Sequence, residues 1–168
     1  VGSEMCIRDS LVAYPICSVA LAKQLGKQSL PARRPDLCVR AGDKWMMDPG
    51  RPGTAEHIAA MAREIVENYD VDGIHLDYIR YPEKEVPFND NKTYAHYGYG
   101  QPKAQWRRDN VTRTVRKVAE AVRSVRPWVK MSCSPIGKYA DLPLHFSYGW
   151  NARDAVNQDA QAWLREGW

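Results

Sequence analysis

The sequence lacks a long apolar run, a strong charge of one sign and any closely spaced pair of cysteines. No stretch approaches the ~20 apolar residues of a membrane-spanning helix, so we expect no membrane span within the chain. The net charge is only +4, and Lys and Arg are spread along the 168 residues. We expect no nucleic-acid partner, because such a binding face needs clustered basic residues. The 44% apolar and 26% charged content is typical of a globular domain.

Metal and disulfide chemistry are also disfavoured. The cysteines are widely spaced and form no C-x-x-C pair, which predicts free thiols rather than a zinc site or a disulfide scaffold. They are Cys6, Cys17, Cys38 and Cys133. A metal-dependent hydrolase that uses His75 and Asp77 is a weak alternative, because no H-x-H motif or further His lies at ligand spacing. No cofactor is implied.

The two ends of the chain are unusual. Residues 1–10 show no helix or strand pattern and are interpreted as a non-native scar, which leaves residues 11–168 as part of one domain. The last helix-like segment ends at Gly167, and a glycine there commonly leads the chain into another element. We therefore expect an internal fragment that is inactive by itself.

Hydrophobic periodicity predicts alternating helices and strands. Residues 17–53 are rich in Pro and Gly and are expected to be irregular, with Thr54 as the N-cap of the first helix. The elements that follow are a strand over 71–77, a loop over 81–103, a helix over 104–126, a strand over 128–134, a loop over 135–151 and a helix over 153–166. This last helix is expected to bury Val156, Ala160, Trp163 and Leu164.

The alternation predicts parallel strands joined by right-handed crossovers. The loops that follow the strands are long, and the connection before Val71 is minimal. In a (β/α)8 barrel the active site is formed by the loops after the strands, so this asymmetry favours a barrel. A complete barrel takes about 250 residues. The predicted fold is therefore α/β, a partial (β/α)8 TIM barrel that lacks its first and last strands.

The segment VDGIHLDYIRYP, residues 71–82, carries the clearest chemical signal. If Ile74 and Leu76 face the helices, His75 and Asp77 face the barrel axis, with Asp77 at the catalytic end of its strand. Glycoside hydrolysis needs two such carboxyl groups beside the scissile bond. For Asp77 the alternative is a salt bridge with Arg80 at the rim. His75 is either a second catalytic residue that transfers a proton or an interior hydrogen-bonded residue that orients Asp77.

The rest of the chain offers no clear second acid. On the second strand Lys130, Ser132 and Ser134 are expected to point inward. Asp141 could reach the site from its loop, although a solvated position is favoured. Asp48 either points to the rim or caps an Asx turn. Residues 88–91 could bind a cation, but turn chemistry is favoured.

Taken together, these motifs resemble the bacterial family-10-like glycosyl hydrolases over residues 12–168. The matching segments, in family order, are residues 46–50, 67–70, 71–82, 97–98, 106–110, 126–130, 134–137 and 159–168. The resemblance implies a TIM barrel, glycan hydrolysis with Asp77 as the central carboxylate, and a secreted, periplasmic or cell-surface lipoprotein. It also implies that early and late strands are absent here, so the second catalytic carboxylate can lie outside this chain.

Aromatic and polar side chains near the strand ends predict a groove for a polysaccharide or oligosaccharide, because sugar rings stack on aromatic faces. The expected substrate-binding residues are Tyr78, Arg80, Tyr81, Tyr97, Arg108, Asn110 and Trp150. Of these, Arg108 or Asn110 is expected to brace Tyr81 or Asp77, and simple packing is an open alternative for each aromatic ring. The rival function is a non-catalytic glycan-binding barrel.

Overall fold

The computed structural model describes residues 8–144 and 148–168. Its strands are β1 (Arg8–Val12), β2 (Pro15–Ser18), β3 (Cys38–Ala41), β4 (Lys44–Met47), β5 (Gly73–Asp77) and β6 (Lys130–Cys133). Its α-helices are α1 (Val19–Leu25), α2 (Leu30–Arg33), α3 (Pro52–Asn68), α4 (Asn91–Tyr97), α5 (Lys103–Val125), α6 (Ala152–Ala155) and α7 (Ala160–Arg165). The chain therefore has the mixed α/β content that its periodicity predicts.

A parallel sheet with the order β1-β5-β6 carries the central strand β5. Both of its neighbours run parallel to it, as the alternation of helices and strands predicts. Gly73 pairs with Lys130 and His75 with Ser132, so the last residues of β5 and β6 meet at one edge of the sheet. The three strands form an open sheet within the described residues.

Strand β1 begins earlier than the sequence pattern indicates. Arg8, Asp9 and Ser10 pair with residues 73–75 of β5, although the sequence pattern predicts no strand over residues 1–10. Main-chain pairing does not require an alternating side-chain pattern, which is why periodicity missed this part of the strand. The interpretation of residues 1–10 as a scar stays a prediction, and residues 1–7 lie outside the described residues.

The expectation that residues 17–53 are irregular is wrong. This region contains two short helices and most of an antiparallel sheet with the order β2-β4-β3. Gly42 and Asp43 join β3 to β4 as a two-residue hairpin loop. Gly42 has a φ of +61°, which a glycine adopts without steric cost. The Gly-Asp pair was the signal for this hairpin.

Two helix boundaries also differ from the prediction. Helix α3 begins at Pro52, whose fixed φ suits the first helical turn, so Thr54 is not its N-cap. The predicted helix over 153–166 is divided into α6 and α7, because Asn157 has a φ of +63° and stops the first of them. Val156 and Trp163 are buried as expected, but Leu164 is 79% exposed.

The hydrophobic core lies between the parallel sheet and two long helices. Ile58, Ala62 and Val66 of α3 share one cluster with Ile74 and Leu76 of β5, and all five side chains are fully buried. Helix α5 adds the predicted valine stripe, which consists of Val111, Val115, Val118 and Val122. One face of β5 is therefore covered by helices, and the opposite face holds the polar residues.

None of the helices in the described part of the chain has the length and apolarity that a membrane crossing requires. Cys17, Cys38 and Cys133 are free thiols, and Cys6 falls outside the described residues.

Gly50 makes a close approach that generates a stability prediction. A Cβ atom at this position would collide with the indole ring of Trp106, which is buried at the start of α5. We expect Gly50→Ala to lower the free energy of unfolding of the intact protein by about 1–3 kcal/mol, the usual cost of overpacking. Urea denaturation measures the loss. Gly137→Ala is the matched control because its Cβ would meet open space, and an equal loss in both variants would contradict the assignment.

Candidate functional site

The polar face of β5 has the orientation that its alternating sequence predicts. Ile74 and Leu76 are fully buried against the core, whereas His75 and Asp77 are only partly buried on the other face. Asp77 is the last residue of the strand. Its carboxylate therefore stands at the carboxyl end of the parallel sheet, where the loops after β5 and β6 begin.

His75 is held between two serines of the neighbouring strand. Its Nδ1 atom lies 2.8 Å from the Ser132 hydroxyl, and its Nε2 atom lies 2.7 Å from the Ser134 hydroxyl. Both serines therefore share the polar face of the sheet with His75, while Met131 and Cys133 pack against the core. Both ring nitrogens have serine partners, so the structure does not support His75 as the residue that orients Asp77.

The backbone turns sharply just after Asp77. Asp77 Oδ1 accepts a hydrogen bond of 2.9 Å from the main-chain N–H of Tyr78. Tyr78 has a φ of +49°, an uncommon conformation for a residue that carries a Cβ atom. The turn holds the Asp77 carboxylate at the sheet edge and directs the chain into the loop that contains Arg80 and Tyr81.

Arg80 does not form the salt bridge with Asp77 that we considered. Its Nη1 atom lies 2.6 Å from Glu83 Oε1, and its guanidinium carbon lies 4.8 Å from the centre of the Tyr78 ring. Asp77 is therefore not committed to an ion pair with Arg80. The pKa of Glu83 is held below its usual value, because hydrogen bonds from its own backbone and from Arg80 outweigh the effect of burial.

Of the cavities beside the loop after β5, two are lined by exposed aromatic side chains of the predicted site. The first has a volume of about 370 Å³, is lined by Tyr78, Arg80 and Tyr81, and is bordered by the β3–β4 hairpin. The second has a volume of about 230 Å³ and contains Trp150. Glu83 lines both cavities, so the predicted residues Tyr78, Arg80, Tyr81 and Trp150 lie around one loop.

Tyr81 is almost completely buried, so little of its ring is accessible to a ligand. Only 1% of its surface is exposed, its ring contacts the edge of Phe88, and the Arg107 guanidinium lies 4.9 Å from its centre. Burial raises the pKa of Tyr81 well above its usual value. Its hydroxyl and the nearby Asn110 Nδ2 are buried without a hydrogen-bond partner among the described residues. Asn110 thus adjoins Tyr81, and its bracing role stays a prediction.

Arg108 and Tyr97 do not join this group. Arg108 donates to Gln105 at 2.7 Å and lies 3.9 Å from Asp154, so it links α5 to α6. Tyr97 closes α4, and its carbonyl accepts a hydrogen bond from the Trp106 indole at 3.1 Å. Neither residue lines the two cavities beside the β5 loop.

Asp48 has a structural position rather than one at the rim. It is 1% exposed, and its Oδ1 atom accepts a 3.0 Å hydrogen bond from Gly50 N–H, which is an Asx turn. Its other oxygen accepts from Thr93 at 2.5 Å. Burial raises the pKa of Asp48, although both hydrogen bonds oppose the shift. Of the two readings of Asp48, the turn is the one observed.

Asp90 is a buried carboxylate whose role the sequence did not reveal. It lies just before α4 and forms two 2.8 Å hydrogen bonds with Arg107, while Lys103 lies 2.7 Å away. Burial alone would raise the pKa of Asp90, but these two cations lower it below its usual value. The pairing leaves the segment 88–91 without the free carboxylate that a cation site would use.

Asp141 has the solvated loop position that we favoured. Its side chain is 68% exposed, lies 2.6 Å from Lys138 and accepts a hydrogen bond from Asn151 at 2.9 Å. No group of three or more His, Cys, Asp or Glu residues suited to a metal ion occurs in residues 8–144 and 148–168.

Comparisons with known proteins give a family match and several curated relatives. Residues 28–168 match the family model described as Glycosyl hydrolase-like 10. Glycosyl hydrolase DigH of Escherichia coli K12 is 33% identical over 134 residues, which cover 76% of this chain. Glycosyl hydrolase YngK of Bacillus subtilis is 32% identical over 147 residues, which cover 82% of this chain. The matched segments span 30% and 29% of these two relatives.

One solved structure also aligns with the chain. It is the crystal structure of a hypothetical protein from Ruminiclostridium thermocellum, with a TM-score of 0.48 and 21% sequence identity. The alignment covers 78% of this chain and 59% of the other.

The cluster of Asp90, Arg107 and Lys103, called here the Asp90 cluster, should make the protein less stable as the pH falls. Because its folded pKa is lowered, the carboxylate stabilises the fold above its unfolded pKa of about 4, and this contribution is lost as the pH falls through the folded value. Asp90→Asn should cost roughly 3 kcal/mol at pH 7, since it leaves two partly buried cations without their partner.

Urea denaturation between pH 7 and pH 3 measures both effects, and the variant should lose less stability on acidification than the parent protein. Asp36→Asn is the control, because Asp36 forms a similar pair with Arg34 in an exposed position. That variant should show a much smaller change. Equal stability of Asp90→Asn and the parent at pH 7 would contradict the role of this cluster.

Proposed function

Since the chain belongs to the glycosyl hydrolase-like 10 family, we propose that the protein hydrolyses O-glycosidic bonds of a polysaccharide with Asp77 as a catalytic carboxylate. The observation that carries the proposal is the position of Asp77. It is partly exposed at the carboxyl end of β5, on the face opposite the buried Ile74 and Leu76. A carboxyl group there can exchange a proton with a glycosidic oxygen or attack the sugar carbon.

The three parallel strands are proposed to be one sector of a (β/α)8 barrel. Two features support this: α3 and α5 cover one face of β5, and the polar residues of β5 and β6 share the other. In such a barrel the polar face lines the axis and the loops after the strands surround the substrate. The chain spans about 30% of the length of its curated relatives, so a second carboxyl group is proposed to come from another sector.

His75, Arg80 and Tyr78 support Asp77 in this proposal. The His75 ring is held by hydrogen bonds to two serines, so it forms a rigid polar neighbour of the carboxylate on the same face of β5. Arg80 lies against the Tyr78 ring and contacts Glu83, which leaves a preformed cavity with one aromatic wall. A wall of this kind suits the apolar face of a sugar ring. Behind this cavity the Tyr81 ring packs against Phe88 and the Arg107 guanidinium.

The proposed substrate is a cell-wall or dietary polysaccharide, and peptidoglycan glycan strands are the first to test. A secreted, periplasmic or cell-surface lipoprotein location is part of the same proposal, because such polymers lie outside the cytoplasm. The support for both comes from the family resemblance.

A non-catalytic glycan-binding barrel is the second candidate. The observation that favours it is the presence of exposed aromatic rings, Tyr78 at 48% and Trp150 at 49%, beside cavities. Such a protein would bind glycans and cleave none, so an assay that measures binding and cleavage separately distinguishes the two functions.

Asp77→Asn tests the catalytic proposal directly. Asparagine keeps the shape of aspartate but cannot ionise, so the rate should fall at least ~10²-fold while glycan binding and the melting temperature stay unchanged. Release of reducing ends from purified glycan strands by the intact protein measures the rate. Asp70→Asn is the control, because Asp70 is fully exposed near the amino end of β5, where its carboxylate pairs with Arg126. Near-parental turnover by Asp77→Asn would contradict the proposal.

Trp150→Ala tests the glycan groove and applies to both candidate functions. Loss of a stacked ring should weaken glycan binding by a few-fold to about tenfold, equivalent to about 0.5–1.5 kcal/mol. Isothermal titration with a soluble oligosaccharide measures the affinity. Trp128→Ala is the matched control, because this exposed Trp precedes β6 and lies at the opposite end of that strand. An equal change in both variants would count against a groove at Trp150.

A further inference from the structure

A single buried glutamine connects the two loops that leave the polar sheet edge. Gln158 is fully buried in the short segment between α6 and α7. Its Nε2 atom donates to the carbonyl oxygens of Ile79 at 3.2 Å and Ser134 at 3.4 Å. Its Oε1 atom accepts a 3.0 Å hydrogen bond from the main-chain N–H of Ile136. One side-chain amide thus contacts the backbone of both post-strand loops.

The backbone on either side keeps this amide in place. Asn157 adopts a φ of +63° and ends α6, and the N–H of Gln158 donates to the Ala152 carbonyl at 2.7 Å. Asp159 then caps α7 through a 3.2 Å hydrogen bond from Ala162 N–H. The side chain enters the interior from a segment that is fixed at both ends. A buried amide with all of its groups bonded has one stable orientation.

The carbonyls that Gln158 contacts lie next to the site. Ile79 is two residues beyond Asp77 and one beyond the strained Tyr78. Ser134 carries the hydroxyl that lies 2.7 Å from His75 Nε2. The same segment provides a second tie, because the carbonyl of Val156 accepts a 3.0 Å hydrogen bond from Tyr81 N–H.

We propose that Gln158 is a positioning residue, which holds the Ser134 hydroxyl on His75 and the β5 loop at its distance from Asp77. The inference rests on the proposed hydrolase function for its kinetic consequence, but its structural consequence is independent of that function. Small displacements of supporting residues can cost up to about 10²-fold in rate. Loss of the Gln158 amide should therefore lower kcat by roughly tenfold or more and leave KM within about twofold.

The structural test follows the imidazole nitrogens of His75 by two-dimensional ¹H–¹⁵N NMR in the intact protein. Gln158→Met keeps the size of the side chain and removes all three hydrogen bonds, whereas Gln158→Glu keeps an acceptor for Ile136 and removes the donors. His75→Gln identifies the His75 signals by their loss. Both Gln158 variants should shift these signals. Val118→Ala, which truncates a fully buried side chain of α5, should lower stability and leave them unchanged.

Ser134→Ala keeps the proposal testable if both Gln158 variants fail to fold. Ser134 is exposed, so its truncation should preserve the fold while it removes the hydroxyl from His75. It should shift the His75 signals and lower kcat. Where Gln158→Met folds, the double variant should be less impaired than the sum of the two single variants.

Parental His75 signals in a folded Gln158→Met variant, or in Ser134→Ala, would overturn the positioning role. Shifted signals with parental kcat would overturn its link to catalysis. If the parent cleaves no glycan while Gln158→Met still shifts the His75 signals, the hydrolase proposal fails and the positioning role of Gln158 stands.

Discussion

The burial of Ile74 and Leu76 beneath α3 and α5 is the constraint on which the rest of the site depends. Both side chains are fully buried, and a strand places successive side chains on opposite faces. His75 and Asp77 must then point to the other face. A shift of one residue in the register of β5 would bury the polar pair among valines, which is energetically prohibitive. The packing that stabilises the fold therefore also orients the chemistry.

Where the sequence contains a regular pattern, it predicts this arrangement well. The alternation in β5 gave the orientation of Asp77, and the valine stripe of α5 gave the helix that covers it. Parity along β6 placed Ser132 and Ser134 on the same face as His75, and parallel pairing brings His75 opposite Ser132. These predictions succeed because the period of a helix or strand is a local property, which one sequence displays directly.

The side-chain contacts that stabilise the site join residues far apart in the chain, so no local sequence pattern predicts them. Thr93 reaches Asp48 across 45 positions, and Gln158 reaches Ile79 across 79. Their side chains satisfy particular carbonyls or carboxylates, whose locations exist only after the chain has folded. Two other features have local sequence signals. The Gly42-Asp43 pair lies in a Pro- and Gly-rich region that predicts irregular structure, and Asn157 lies within an apolar pattern that predicts one continuous helix.

The site therefore has two kinds of support with different physical origins. Hydrophobic burial determines which face of the sheet is polar. Because the hydrophobic effect is non-directional, this support tolerates changes of apolar side chain that preserve volume. Hydrogen bonds that Gln158 donates and that Asp90 and Asn151 accept set where the loops lie, and each depends on a donor and an acceptor within about 3 Å. The cavities beside Tyr78 and Trp150 lie among these loops. The sheet face thus determines which chemical groups are presented at the sheet end, while the buried polar side chains determine where the neighbouring loops and their cavities lie.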